Sequence, residues 1–150
     1  MKTLFTIVCA LVFCACQKTS PALDSNAPGT LEFRGEASPG ETGAQEFTYK
    51  GKTIRLSKAK HFDVDVWKTV DGMNNPAIGV KIAEHQAEEF GDFTEAFINE
   101  RLAYLVEGEI IFLPTVMFRV RREQIIERGP KGFTEEALNE IIATIKAGSK

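Results

Sequence analysis

The residues best suited to metal or acid–base chemistry are two histidines and their acidic neighbours. His61, Asp63 and Asp65 alternate along a predicted strand, so their side chains would share one face. The spacing His-x-Asp-x-Asp is loose for a metal site, and a solvated strand face is the simpler interpretation. His85 lies among glutamates in the first turns of a predicted helix, as a surface histidine would. We therefore predict no metal-binding residues.

A pair of carboxylates, Glu88 and Asp92, is spaced i, i+4 on the same predicted helix, where the two side chains would be neighbours. A helix surface lacks the burial that raises the pKa of a general acid. The chain also contains no G-x-S-x-G, P-loop or Rossmann glycine pattern. We predict a protein that is not an enzyme, with no catalytic residues, no cofactor-binding residues and no cofactor. An unrecognised hydrolase is the least favoured alternative.

Two clusters could form binding surfaces. The aromatic residues Phe90, Phe93 and Phe97 recur at helical spacing, which is typical of a buried face and less often of a peptide groove. A second cluster contains three arginines that could contact phospholipid headgroups or an acidic partner, although a solvated face is favoured: Arg119, Arg121 and Arg122. The net charge is −3 and the pI about 5.5, so no nucleic acid partner is predicted.

Residues 1–16 have the features of a secretory signal peptide. Lys2 precedes an apolar run that is shorter than the roughly 20 residues of a transmembrane helix. The segment "FCAC" that ends at Cys16 resembles a bacterial lipobox, which implies that Cys16 receives a diacylglycerol thioether and an N-acyl chain. All three cysteines lie in this segment, so the remainder has no thiol chemistry and no disulfide. We predict a lipid anchor at Cys16, which provides contact with the membrane.

The lipid anchor implies a location at the cell envelope, on the periplasmic side. Gln17 follows the lipidated cysteine, in place of the Asp that resembles an inner-membrane retention signal. This favours the outer membrane in a bacterium that has two. Residues 17–45 are rich in Pro, Gly, Ser, Thr and Ala, which predicts a flexible tether. Within it, "LEFR" at 31–34 alternates like a short strand.

The predicted folded domain covers residues 46–148. Alternating runs predict a hairpin around Lys50-Gly51, then strands near 61–70 and 77–82. Helical periodicity follows at 83–99, and "LAYLVEGEIIFLPTV" predicts a core hairpin over 102–116 that turns at Glu107-Gly108. Thr134 is the predicted N-cap of a last helix. The pattern favours an α+β fold with a mixed or antiparallel sheet and two helices packed on one face.

An ordered set of short motifs resembles the periplasmic head subdomain of SecD, part of the SecDF protein-export motor. The motifs are Phe90-x-x-x-Thr94, the turn Glu107-Gly108, the strand at 111–114, and Gly132-Phe133-Thr134 followed by Glu136-Ala137. The resemblance extends to "LEFR" and to "IKAG" at 145–148, and covers about residues 31–148. Phe112-Leu113 replaces the small Ser-Ala pair that is typical of the SecD pattern.

By this resemblance, the domain would contact polypeptide as the SecD head is thought to do. SecD also has proton-coupled transmembrane helices, and no second apolar span is seen in this sequence. The predicted function is therefore that of a non-enzymatic, lipid-anchored envelope protein that binds polypeptide or an envelope protein partner, with a link to protein export. The alternative is a structural, regulatory or immunity-type lipoprotein that reuses the fold.

Overall fold

The computed structural model of the protein describes residues 31–148. Cys16 and the signal segment lie outside the described residues, so lipidation stays a prediction. The described chain has an α+β fold, which confirms the predicted class. Its strands are β1 (Leu31–Gly35), β2 (Gln45–Tyr49), β3 (Lys52–Leu56), β4 (Lys60–His61), β5 (Val64–Val70), β6 (Pro76–Ile82), β7 (Leu102–Val106), β8 (Glu109–Phe112) and β9 (Glu123–Ile126). Its helices are α1 (Ala87–Glu95) and α2 (Glu135–Gly148).

The first strand lies inside a four-stranded sheet of order β4-β1-β7-β8. β1 pairs antiparallel with β4 on one side and along its whole length with β7 on the other. All of its residues are buried. The predicted domain boundary at residue 46 is therefore wrong for this segment, which is a core strand and not an island in a tether. The sequence hides this because Glu32 and Arg34 are charged, and their burial depends on the ion pair that they form at 3.0 Å.

A second sheet contains three strands in the order β5-β6-β9. The strand predicted at 77–82 is part of it, whereas the predicted hairpin at 102–116 belongs to the four-stranded sheet. The prediction of one sheet holding both is wrong. Apolar alternation determines which face of a strand is buried but not which strand is its neighbour, and β6 takes β9 as its second partner.

A partly buried hydrogen bond connects the two sheets. The hydroxyl of Tyr104 on β7 donates to Oε1 of Gln124 on β9. Burial raises the pKa of the Tyr104 phenol far above its ordinary value. The phenol is therefore a neutral donor at any physiological pH, and the link does not titrate.

The hairpin predicted around Lys50-Gly51 is confirmed as β2 and β3. Both turn residues have positive φ, 49° at Lys50 and 75° at Gly51, as expected for a two-residue hairpin turn. This hairpin covers the face of the four-stranded sheet that bears Ala103 and Leu105, and forms a small second core there.

The main core lies between the two sheets and the two helices. Phe90 of α1 makes edge-on ring contacts with Phe33 at 5.2 Å and with Phe62 at 5.0 Å between centroids. Phe93 and Phe97 continue this cluster. The aromatic stripe is thus core, as predicted. α1 is shorter than the predicted helix at 83–99, because its first turn is a 3-10 helix at Glu84–Gln86.

The last helix begins as predicted. The Thr134 hydroxyl accepts a hydrogen bond from the Ala137 N–H at 3.2 Å, which is the geometry of an N-cap. Leu138 and Ile145 are fully buried. The helix packs against β5, β6 and β7, so it contacts both sheets.

The hairpin "LAYLVEGEIIFLPTV" is confirmed as β7 and β8, which turn at Glu107 and Gly108 with φ of 50° and 79°. β7 is fully buried, and β8 is half-buried at the edge of its sheet. β8 ends at Phe112, two residues before Pro114, which cannot donate to a further partner.

Candidate functional site

The histidines and aspartates do not assemble into a metal site. His61 pairs with Glu32 in the four-stranded sheet, whereas Asp65 lies on β5 in the other sheet. The prediction that one strand carries all three residues is therefore wrong. Nε2 of His85 lies 3.4 Å from Oδ2 of Asp63, and both side chains are largely exposed. No group of three potential ligands is present within residues 31–148.

The paired carboxylates of α1 bind an arginine. Nη2 of Arg119 lies 2.7 Å from Oε1 of Glu88 and 2.7 Å from Oδ1 of Asp92. The hydrogen bond from Arg119 lowers the pKa of the Glu88 carboxyl, which is opposite to what a general acid needs. A Cβ at Gly91 would lie 2.6 Å from Nε of Arg119. Gly91 therefore interrupts the helix surface to make room for the guanidinium.

The arginine cluster is only partly solvated. The side chains of Arg119 and Arg122 are 33% and 35% exposed. Arg122 pairs with Glu84 and donates from Nε to the Ile82 carbonyl at 3.1 Å. The prediction of a solvated cluster is wrong for these two residues, which fasten the segment before β9 to the rest of the domain. Arg121 is exposed as predicted.

The candidate site is a concave surface of about 1080 Å³ along the free edge of β8, which we call the edge groove. One wall is the β2–β3 hairpin, and the other is α2 with the segment that precedes it. The lining residues are Phe47–Lys50, Val106–Leu113, Glu127–Pro130, Phe133, Ala137, Glu140, Ile141 and Thr144. A groove of this volume, open to solvent, has room for an extended peptide segment.

The walls of the groove are apolar on both sides of the strand edge. Phe47 and Tyr49 are half-buried on the hairpin side, and Ala137 and Ile141 are half-buried on the helix side. Each packs inward against a core and presents its remaining surface to the groove. Each wall therefore offers apolar side-chain surface to the groove beside its polar residues.

The rim of the groove is acidic. It carries four carboxylates, Glu107, Glu109, Glu127 and Glu140, and none of them forms an ion pair within the described residues. Its two cations are both placed over aromatic rings: Lys50 lies 5.1 Å from the Tyr49 centroid, and Arg128 lies 5.6 Å from that of Phe133. The lining thus holds four carboxylates and two cations, and its net negative charge favours a cationic ligand.

The groove has the composition of a binding surface. Its lining contains no His, Cys, Ser or Asp, and its hydroxyl groups are those of Thr48, Tyr49 and Thr144. Sequence analysis identified the β7–β8 hairpin but missed the groove. The missing information is tertiary, because the hairpin at 45–56 and α2 flank β8 only after the chain has folded.

Comparison with known proteins finds similarity to the same proteins that the motifs resemble. The chain is 29% identical over 82 residues to the protein translocase subunit SecD of Aquifex aeolicus (strain VF5). The aligned region covers 53% of this chain and 15% of that protein. No protein-family model matches the chain. The chain thus spans a small part of the length of the curated relative.

Solved structures of SecDF share the fold. A structure described as that of a membrane component SecDF that enhances protein export superposes with a TM-score of 0.62 at 18% identity, covering 83% of this chain and 64% of that one. SecDF in a super-membrane-facing form gives a TM-score of 0.60 at 20% identity, covering 81% and 19%. The class defined by the fold is an α+β domain of the kind found in SecDF. Within this class, the described residues resemble SecD in both sequence and fold, and we call them a SecD-like domain.

The residues that carry the resemblance have structural roles. Phe90 lies in the aromatic core, and the buried Thr94 hydroxyl donates to the Gly91 carbonyl at 2.9 Å and accepts from the Val120 N–H at 3.0 Å. Gly132 has φ of 68°, and a Cβ there would lie 2.5 Å from the Pro76 carbonyl oxygen. The shared motifs therefore specify the fold, and the chemistry of any ligand must be inferred from the groove.

Proposed function

We propose that this protein is a lipid-anchored envelope protein whose SecD-like domain binds polypeptide in an extended conformation, without chemical catalysis, in connection with protein export. The observation that carries the proposal is the edge groove, because it combines a free strand edge with apolar side chains on both of its walls. These are the features by which a domain recognises extended chains.

The comparisons support the link to export. The curated relative is a protein translocase subunit, and the SecDF in one similar structure enhances protein export. The proposal carries over to this chain only contact with polypeptide on the periplasmic side. Within the described residues, no helix is long and apolar enough to cross a membrane.

Anchoring is the part of the proposal that rests on the sequence alone. Cys16 is the proposed acylation site, so Cys16→Ser should abolish incorporation of a fatty-acid analogue and shift the protein out of the membrane fraction. Metabolic labelling followed by fractionation makes the measurement, with Cys14→Ser as the matched control. Equal labelling of the Cys16→Ser variant and the unchanged chain would rule out lipidation at this residue.

Polypeptide binding is tested by blocking the groove from one wall. Thr144 lines the groove and Ala143 is exposed beside it on α2. We expect Thr144→Trp to weaken binding about tenfold, which corresponds to about 1.4 kcal/mol, and Ala143→Trp to leave it nearly unchanged. The measurement is fluorescence anisotropy of a reduced, carbamidomethylated polypeptide titrated with the full chain in detergent.

The same polypeptide in its folded, disulfide-bonded form serves as the negative probe. Binding of the folded form alone would favour an envelope protein partner in place of extended chains. Binding of neither form, or equal loss in the two tryptophan variants, would contradict the proposed function.

A further inference from the structure

The outer edge of β8 has free backbone groups. β8 has one partner strand, β7, and the two-residue turn makes Val106 and Glu109 the hydrogen-bonded pair next to it. Because hydrogen-bonded and non-hydrogen-bonded pairs alternate along an antiparallel ladder, the N–H and C=O of Ile110 point away from β7 and toward the groove. Ile111 is the extra residue of a bulge, since Ile110 and Phe112 are the residues that pair with Leu105 and Tyr104.

The position of the two walls matches the side chains of an added strand. Successive side chains of a strand point to opposite faces of the sheet. A segment next to β8 would therefore direct one set of side chains toward Phe47 and Tyr49 of the hairpin. It would direct the alternate set toward Phe133 and Ile141 on the other wall.

The charge of the rim indicates which charge a bound peptide segment should have. Glu107 and Glu109 lie at the turn end of β8, and Glu127 and Glu140 lie on the opposite wall. Within residues 31–148 these four carboxylates form no ion pair, whereas two carboxylates of α1, Glu88 and Asp92, are paired with Arg119. The lining also has two cations, so its charge stays net negative. A segment with lysine or arginine at its ends would neutralise the rim, and an acidic segment would be repelled.

We infer that the edge groove binds a short, extended, apolar polypeptide segment flanked by basic residues, and that this segment adds to β8 as a fifth strand of the four-stranded sheet. The inference rests on the proposed function and specifies both the mode of binding and the chemistry of the ligand. An unpaired strand edge between apolar walls is protected against adventitious association when charge excludes most partners.

The test of strand addition uses modified peptides and leaves the protein unchanged. The probe is the end-blocked pentapeptide Lys-Val-Thr-Val-Lys, titrated into the full chain in detergent. N-methylation of both valines blocks one edge of the peptide strand and leaves the other edge free. N-methylation of one valine and the threonine blocks both edges with the same number of methyl groups.

Strand addition predicts that the peptide blocked on both edges binds about tenfold more weakly than the peptide blocked on one edge, the effect of one or two lost hydrogen bonds. Equal affinity of the two methylated peptides would overturn strand addition while leaving polypeptide binding intact. No binding of the unmethylated pentapeptide by a chain that binds the long unfolded polypeptide would also overturn it. No binding of either ligand would contradict the proposed function itself.

The test of charge uses two glutamates of α2. Glu140 lies on the rim, and Glu136 is exposed on the same helix outside the groove. We expect Glu140→Lys to weaken binding of the lysine-flanked pentapeptide several-fold at low salt. The same variant should strengthen binding of a pentapeptide with glutamate in place of both lysines. Both effects should be smaller at high salt. Glu136→Lys should have a smaller effect on both affinities than Glu140→Lys, because Glu136 lies one turn away and does not line the groove. The difference is measured at about 0.15 M salt, where the Debye length is about 8 Å.

Equal responses of the two variants would overturn the assignment of a basic ligand.

Sedimentation of the free chain adds a separate criterion. A dimer of the free chain that persists at saturating pentapeptide, with no peptide bound, would show that a second copy of this chain occupies the edge, and would overturn the proposed peptide ligand.

Discussion

Phe33→Ala is expected to destabilise the domain by about 3–5 kcal/mol, which is the range for removal of a buried phenylalanine. Phe33 is fully buried, and its ring contacts those of Phe62, Phe90 and Tyr104 at centroid distances of 5.1–5.6 Å. The substitution removes the centre of this aromatic cluster and leaves a cavity where β1 meets α1.

Urea denaturation, followed by the fluorescence of the single tryptophan, Trp67, measures this loss. Phe33→Leu is the matched control and should cost clearly less, because it keeps most of the apolar volume. A change below about 1 kcal/mol for Phe33→Ala would be the size of a surface substitution. It would show that residues 31–35 are dispensable, as expected of a tether and not of a core strand.

Glu32→Ala is expected to cost about 3–5 kcal/mol, because it leaves the buried guanidinium of Arg34 without its counter-ion. The two side chains are each 7% exposed and lie 3.0 Å apart. Arg34 also donates to the Ser57 carbonyl at 3.1 Å and lies over the Phe47 ring. The pair thus joins β1 to the hairpin that forms one wall of the edge groove.

The control for this prediction removes both charges. Glu32→Met combined with Arg34→Leu should be far less destabilising than Glu32→Ala alone, since replacing a buried pair by apolar side chains is often neutral. The free energies of unfolding come from the same urea experiment. A double variant that is as unstable as the single one would mean that side-chain packing, and not the unpaired charge, determines the loss.

The local structure of this protein could largely be predicted from its sequence. Gly51 and Gly108 each follow a residue that also has positive φ. Such a pair between two alternating runs indicates a short hairpin turn. The N-cap at Thr134 and the buried stripe at Phe90 follow from spacing in the same way. These features depend on residues that are close in the chain, so they can be recognised without the fold.

The errors concern pairing between distant segments. β1 was predicted to lie in a tether because neither Glu32 nor Arg34 indicates burial until they are seen together beneath the hairpin. The separation of β6 from β7 into different sheets depends on β9, a four-residue strand whose pairing with β6 is not indicated by any local pattern. The edge groove was missed for the same reason, since three segments far apart in sequence form it.

The most direct test of polypeptide binding is to map the contact surface by NMR. Amide resonances of the full chain in detergent would be followed while the lysine-flanked pentapeptide is added. The account predicts the largest shifts at Ile110 on the strand edge and at Thr144 on the facing wall, with little change at Trp67 or Met73 on other surfaces. Shifts concentrated at Trp67 or Met73, or absent at saturating peptide, would contradict the claim that this SecD-like domain binds polypeptide along β8.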